Sequence, residues 1–345
     1  MYTNKNSFTH FWKICFLSFL FLFPALLSGC SFQDGKNAIQ TSKRQDIATV
    51  HTFQEQLYAK LDDTNGRYCS LFLDEDIPYC LQCYTKESEE QTQTIYQIIK
   101  PPTDKNTIQT KFTSALQLCQ EKEPALQNPD ISFKAQCPGD GYLYLIGKTT
   151  DHIVEKIYRL FPEEGDYEEI PIPAILKRTK VLDIAIYRDG TIYVVTKGDL
   201  YTYQEKRKGF EWESYTYFYE GECHFVPSNY YYYYLSKGKV YRTYRYSNYQ
   251  YLSYIQNDRL TDVNAPACVD EDDRIYIADS CGIMSYLPQG TLWELLVSST
   301  SCEGFSGEDR TPLGLCRTQN GNFYMAVEDK KNRQVLIYAY TDDRR

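Results

Sequence analysis

The chain has 345 residues, a formal net charge of −9 and 12 cysteines. That length suits one large domain or two modest ones. The acidic balance excludes nucleic acid as a partner held by charge and adhesion to anionic lipid by charge alone. Tyrosine numbers 33, against three tryptophans and three methionines, a bias toward β-favouring rings with an apolar body and a wet tip.

Lys5, His10 and Lys13 make a weakly basic start, followed by an apolar run from Ile14 to Leu27 that Pro24 interrupts. This is the layout of a secretory signal. At about 14 residues the run is short of the ~20 needed to span a bilayer. Leu27-Ser28-Gly29-Cys30 resembles the bacterial lipobox. The resemblance implies cleavage after Gly29 and acylation of Cys30 with palmitate-class chains, holding the mature protein at the extracytoplasmic face of a cell membrane. Residues 1–29 therefore read as a lipoprotein signal peptide, 30–46 as a polar tether and 47–345 as the folded domain.

From about Tyr68 onward the chain reads as short β runs separated by turn residues. A phrase recurs along it: Asp140-Gly141-Tyr142-Leu143-Tyr144, then Asp189-Gly190-Thr191-Ile192-Tyr193, then Ser228-Asn229 leading to Tyr232. Asp273-Arg274-Ile275-Tyr276 and Asn320-Gly321-Asn322-Phe323-Tyr324 continue the series. A weaker copy spans 67–101, with Asp74-Glu75-Asp76 at its turn. The anchor tyrosines lie about 40 to 50 residues apart, and each phrase sits between an apolar strand and two further strands. Four strands per such repeat, with Asp-Gly or Asn-Gly at the first hairpin, predict an all-β fold. The expected architecture is a β-propeller of about six four-stranded blades, seven being the alternative count. Radial stacking buries both faces of every sheet, which a lone four-stranded sheet cannot do.

Val269 to Asp279 resembles the NHL-type propeller repeat, and Leu315 to Tyr338 resembles it more loosely. A lipobox followed by such a propeller resembles the N-terminal half of some bacterial solute-binding lipoproteins. In those a substrate-binding domain follows the propeller. Here the sequence ends at Arg345, so solute binding of their kind is not expected.

Ring closure needs a partner for the last predicted strand, Gln334 to Tyr340, because no fourth strand follows it. Ile47 to Phe53 is β-branched and roughly alternating, and is expected to supply that outer strand.

Motifs with chemical meaning resolve mostly into structure. Gly147-Lys148-Thr149 nearly ends a phosphate loop, but Tyr142 stands where that loop needs glycine, and the run is a strand. Gly304-Phe305-Ser306-Gly307 lacks the final glycine of a nucleophile elbow and reads as a loop between blades five and six. Cys223 and His224 are neighbours on a strand, so their side chains diverge. The same alternation works against redox chemistry from Cys80 and Cys83. Cys69 is placed across the hairpin from Cys80, where a structural bridge would fit. Ala185, Cys268 and Cys316 each lie eight residues before an anchor tyrosine, which puts them on innermost strands as small packing groups. Asp270 to Asp273 reads as a solvated hairpin tip. In Tyr230 to Tyr234 the even and odd positions face different blades, and tyrosines elsewhere on the surface could form an aromatic platform. Cys281 and Cys302 are expected to form a loop disulfide. No catalytic residue, metal site or cofactor is indicated.

The function read from these features is a lipid-anchored binding or scaffold module for a sugar, peptide or partner protein, working beside a transport system. The alternative is a carbohydrate-active hydrolase or lyase with acidic residues at the channel mouth.

Overall fold

The computed structural model describes residues 39–42, 48–49 and 53–342. The connections 63–65, 88–91, 102–109, 207–208, 217–220, 246–252, 257–259, 287–292 and 306–308 lie outside that description. Three strands come first in the chain: β1 (Ile39–Ser42), β2 (Ala48–Thr49) and β3 (Phe53–Asp62).

Six sheets follow one another. Blade one holds β4 (Arg67–Asp74), β5 (Ile77–Glu87) and β6 (Thr92–Ile99). Two helices come next, α1 (Thr113–Lys122) and α2 (Pro124–Gln127). Blade two is β7 (Ile131–Gln136), β8 (Leu143–Thr149), β9 (Val154–Phe161) and β10 (Asp166–Glu169). Blade three is β11 (Val181–Ile186), β12 (Ile192–Thr196), β13 (Asp199–Lys206) and β14 (Gly209–Thr216). Blade four is β15 (His224–Pro227), β16 (Tyr231–Ser236), β17 (Lys239–Tyr244) and β18 (Ser253–Gln256). Blade five is β19 (Ala267–Val269), β20 (Ile275–Asp279), β21 (Gly282–Tyr286) and β22 (Trp293–Ser298). Blade six is β23 (Arg310–Arg317), β24 (Phe323–Asp329) and β25 (Gln334–Asp342). The fold is a six-bladed β-propeller.

Its interior is six cores rather than one, each filling a junction between two blades. Tyr144 and Ile146 of blade two meet Ile184 and Val194 of blade three. Leu81 of blade one meets Phe133 and Leu145 of blade two, and Leu71 of blade one meets Ala326 and Ile337 of blade six. A sheet covered on both sides has no solvent face to mark by alternation. Ile192–Thr196 and Ile275–Asp279 are accordingly buried at every position, and their first four residues read in sequence as short continuous apolar runs.

The recurring phrase is the first hairpin of each blade. Its tyrosine is paired with the innermost strand: Gln136 with Tyr144, Ala185 with Tyr193, Cys268 with Tyr276 and Cys316 with Tyr324. The small residues expected on the innermost strands therefore sit there. Tyrosine suits the anchor position because its ring is buried while its hydroxyl reaches the turn. Tyr144 Oη donates to Asp140 at 2.6 Å and Tyr276 Oη to Asp270 at 2.7 Å. Gly190, at φ +78°, explains the glycine of the next turn: a Cβ there would lie 3.0 Å from Asp140 Oδ2 and 3.1 Å from the Tyr144 hydroxyl. The Tyr230–Tyr234 run behaves as its alternation implies. Tyr232 and Tyr234 pack toward blade three, and Tyr231 and Tyr233 toward blade five.

Blade one departs from the four-stranded pattern. Among the described residues it has three strands, and α1, which the β reading of this region did not anticipate, packs beside β6. The Gln120 side chain stands in for part of a fourth strand: it accepts from Tyr96 N at 2.6 Å and donates to Tyr96 O at 3.0 Å. Both backbone groups of an edge residue are thereby satisfied by one amide. Glu123, at the helix end, accepts from Tyr158 at 3.0 Å and Tyr167 at 2.8 Å, tying the helix to blade two.

An N-terminal strand closes the ring, but not the one expected. Phe53–Asp62, rather than 47–53, pairs antiparallel with Gln334–Asp342 as the outer strand of blade six. The longer strand matches the length of β25, and it buries Ala59 and Leu61 while exposing Gln54, Gln56 and Lys60. Ala48–Thr49 instead runs parallel to Glu294–Leu295 on blade five. Ile39–Ser42, within the stretch read as tether, runs parallel to Ser253–Ile255 on blade four.

Candidate functional site

The first hairpins of the blades open at one end of the ring, and the inter-blade connections open at the other. The connection end carries a polar chain across three blades. Asp183, on β11, is placed by a register irregularity between Val181 and Asp183. His224 Nδ1 lies 2.6 Å from Asp183 Oδ2, and Phe225 N donates to the same oxygen at 2.7 Å. Ile184 N donates to Asp183 Oδ1 at 2.8 Å. Burial pushes the Asp183 carboxyl up. The charge and hydrogen bond of His224, the nearby Lys148 and the Phe225 amide outweigh that and hold it below the ordinary carboxylate range. Burial, with Lys134 adding to it, pushes the Lys148 ammonium down against the attraction of Asp183. An imidazole oriented by a carboxylate is the base-and-orienter half of a catalytic constellation. Cys223 packs in the core between blades three and four while His224 reaches Asp183, so the two neighbours diverge as strand alternation requires.

Asp183 has a consequence for stability. Its carboxyl is held lower in the folded chain than the ~3.9 of an unfolded aspartate. Its contribution is therefore full above that value and is lost as pH falls through the lower folded value. Asp183→Asn should cost about 1–3 kcal/mol at pH 7, and its deficit against wild type should shrink below about pH 4. Urea unfolding at both pH values measures this. A deficit that stays constant would show that the charge of Asp183 contributes nothing.

The hairpin end is aromatic and carries ion-paired arginines where blades three, four and five meet, Arg188 with Glu271 and Arg245 with Asp189. Tyr187 and Asn229 are hydrogen-bonded, and Arg188 Nε donates to the Tyr187 hydroxyl at 3.0 Å. Asn229 Nδ2 donates to Glu271 O at 2.8 Å, linking blade four to blade five. The Arg245 guanidinium lies 4.5 Å from the Tyr187 ring centroid and 3.3 Å from Asp189. Its backbone N donates to Tyr230 O at 2.8 Å. Around this framework Tyr230 and Tyr244 are about half exposed, at 54% and 50%. Tyr244 stands edge-on to Tyr231 at 4.9 Å. Large exposed rings with hydroxyls present stacking area and hydrogen bonds at little further entropy cost.

The acidic run 270–273 is only partly a solvated tip. Glu271 is exposed, but Asp273 is buried and accepts from Tyr230 N at 3.2 Å. Asp270 caps its own turn through Asp272 N and Arg274 N, both at 3.0 Å. Among the described residues, no group of three or more His, Cys, Asp or Glu is placed to hold a metal ion. Gly147-Lys148-Thr149 is the end of strand β8.

Cys281 and Cys302 pack in different cores. Cys281 packs toward blade four, with its sulfur 3.5 Å from Met284 Sδ, whereas Cys302 packs in the core toward blade six. The sheet of blade five lies between the two cores. Cys80 pairs with Leu71 and faces blade six, so it is not the partner of Cys69, which packs on the blade-two side. Leu27, Ser28, Gly29 and Cys30 lie outside the described residues.

No family model matches the chain, and no curated protein matches it in sequence. Solved structures do match its shape. Virginiamycin B lyase from Staphylococcus aureus is 10% identical, with a TM-score of 0.46 over 85% of this chain and 90% of that one. YCF48 bound to D1 peptide is 10% identical, with a TM-score of 0.50 over 86% of this chain and 100% of that one. An extracellular domain from B. thetaiotaomicron is 10% identical, with a TM-score of 0.44 over 83% of this chain and 39% of that one. At such identities the likeness is one of fold, and propellers host unrelated functions. What this chain shares with them is the β-propeller.

Proposed function

We propose that the protein is a lipid-anchored extracytoplasmic propeller that binds a sugar, peptide or partner protein through the hairpin-end face of blades three to five. The observation that carries this reading is the exposure of Tyr230 and Tyr244 at the same end of the ring as the Tyr187, Arg188 and Arg245 cluster. The anchor rests on Leu27-Ser28-Gly29-Cys30, which resembles a lipobox. Binding to a glycan array and a peptide library should fall at least tenfold in the double variant Tyr230→Ala, Tyr244→Ala, with the melting temperature unchanged, since truncating a stacking ring costs about 1–3 kcal/mol. Binding that survives the double variant refutes the face. Cys30→Ser should release the protein from membranes or leave its signal uncut; equal retention of the processed forms refutes the anchor.

A second reading, a carbohydrate-active enzyme, has one observation in its favour: the imidazole of His224 held by Asp183 at the connection end. It predicts released product from a bound oligosaccharide, abolished by His224→Ala. Retention of the ligand without turnover selects the binding module.

A further inference from the structure

We propose that Cys69 and Cys83 are a redox-convertible dithiol that closes to a cross-strand disulfide by exchange with a small-molecule disulfide such as oxidised glutathione. The Cys80-Leu81-Gln82-Cys83 spacing draws attention to the wrong pair. On β5 the two cysteines point to opposite sides, Cys80 into the core with blade six and Cys83 into the core with blade two. The partner of Cys83 comes from β4. Arg67 pairs with Cys83 and Tyr68 with Gln82, after which the register slips and Ser70 pairs with Leu81. Cys69 is the extra residue of this bulge, and a bulge re-aims the side chain it carries. The Cys69 and Cys83 side chains pack in the same core on one side of the sheet, and the Cys69 thiol donates to Arg67 O at 3.6 Å.

The chemistry around the pair is asymmetric. Arg67 stands directly opposite Cys83 in the ladder and places a positive charge beside it. Its coupling to Cys69, together with the charge of Arg67 and against burial, pulls the Cys83 thiol below its ordinary range. The Cys69 thiol is pushed up by the same coupling and by burial. Arg67 is exposed and Cys69 partly buried, which puts Cys69 at the margin of the core while Cys83, 5% exposed, lies just inside it. Cys83 is thus the attacking thiolate. It forms a bond to one sulfur of the small disulfide while that S–S bond breaks and one thiolate leaves. Cys69 then gives its proton to solvent, attacks the Cys83 sulfur and expels the second small thiolate. Two protein thiols are oxidised, one small disulfide is reduced to two thiols, and the electrons balance.

The position gives the bond a purpose. It would link the first two strands of blade one, the blade that has three strands among the described residues. The exchange needs only an ambient disulfide, so it stands or falls independently of any ligand at the hairpin end.

The test uses the full wild-type chain in oxidised and in reduced glutathione, with native alkylation, peptide mapping and a melting curve. In oxidised buffer we expect a peptide pair joined through Cys69 and Cys83, and a melting temperature higher by roughly 5 °C than in reduced buffer. In reduced buffer Cys83 should be alkylated before Cys69. Cys69→Ser should arrest Cys83 as its mixed disulfide with glutathione. Separate alkylation of both thiols in oxidised buffer, a stable mixed disulfide in the wild type, or a link from Cys83 to any other cysteine would overturn the proposal.

Discussion

Deleting Phe53–Asp62 should unfold the protein at physiological temperature. This strand covers the outer edge of β25 from Asp342 to Gln334, and without it a long row of amides and carbonyls would be open to solvent or to another chain. Ala59 and Leu61 would also leave the core between blades six and one. A third loss is specific to Glu55. Its carboxylate accepts from Glu303 N at 2.6 Å, Gly304 N at 3.0 Å and the Tyr340 hydroxyl at 2.8 Å. Tyr340 is fully buried, so its hydroxyl would be left unpaired away from water. Together the ladder, the apolar burial and the orphaned groups amount to at least ~5 kcal/mol, comparable with the whole stability of a typical domain. Circular dichroism melting checks this, and deletion of residues 31–52 is the control, expected to cost far less. A melting temperature unchanged by loss of 53–62 would mean that the ring does not depend on this strand.

Gly282→Ala should destabilise the fold by more than ~4 kcal/mol. Gly282 opens β21 at φ +129°, and a Cβ there would lie 1.8 Å from Val297 O and 2.9 Å from Val297 C. The obstacle is backbone in the neighbouring strand β22, and blade five is packed on both sides by cores, so neither strand can give way. Gly238 occupies the equivalent turn of blade four at φ +73°, with nothing within 4 Å of its notional Cβ. Gly238→Ala should therefore cost only the strain of a left-handed backbone, about 1–2 kcal/mol. Thermal or urea unfolding of the two variants separates close approach from backbone strain. Equal losses would show that the Val297 contact is relieved by movement of the strands.

Sequence reasoning missed functional geometry for an identifiable reason. Asp183 and His224 are 41 positions apart, and nothing in either residue's neighbourhood announces the other. They meet because the innermost strands of consecutive blades lie side by side around the axis. Tyr230 is similar. As part of a tyrosine run it looks like the rest, and only its place in the turn before β16 leaves it exposed while Tyr233 and Tyr234 are buried. The juxtaposition of Cys69 and Cys83 in one core was concealed by a single bulge, which no residue count reveals.

What the amino-acid sequence determined by itself is the periodic part of the molecule. A turn with Asp or Asn, an anchor tyrosine and flanking apolar runs are local, repeat once per blade, and need only neighbouring residues to specify a hairpin. The β-propeller follows from that repetition, as does the opposite facing of alternate tyrosines in Tyr230–Tyr234. The tertiary structure decided what depends on closure. It settled six blades rather than seven, and Phe53–Asp62 rather than 47–53 as the closing strand. It put a helix and the Gln120 amide at the edge of blade one, and separated Cys281 from Cys302 on either side of blade five. Each of these is a contact between segments far apart in the chain. Which strand meets an open edge is decided by length, register and the cores on both sides of the sheet, and those exist only once the ring has formed.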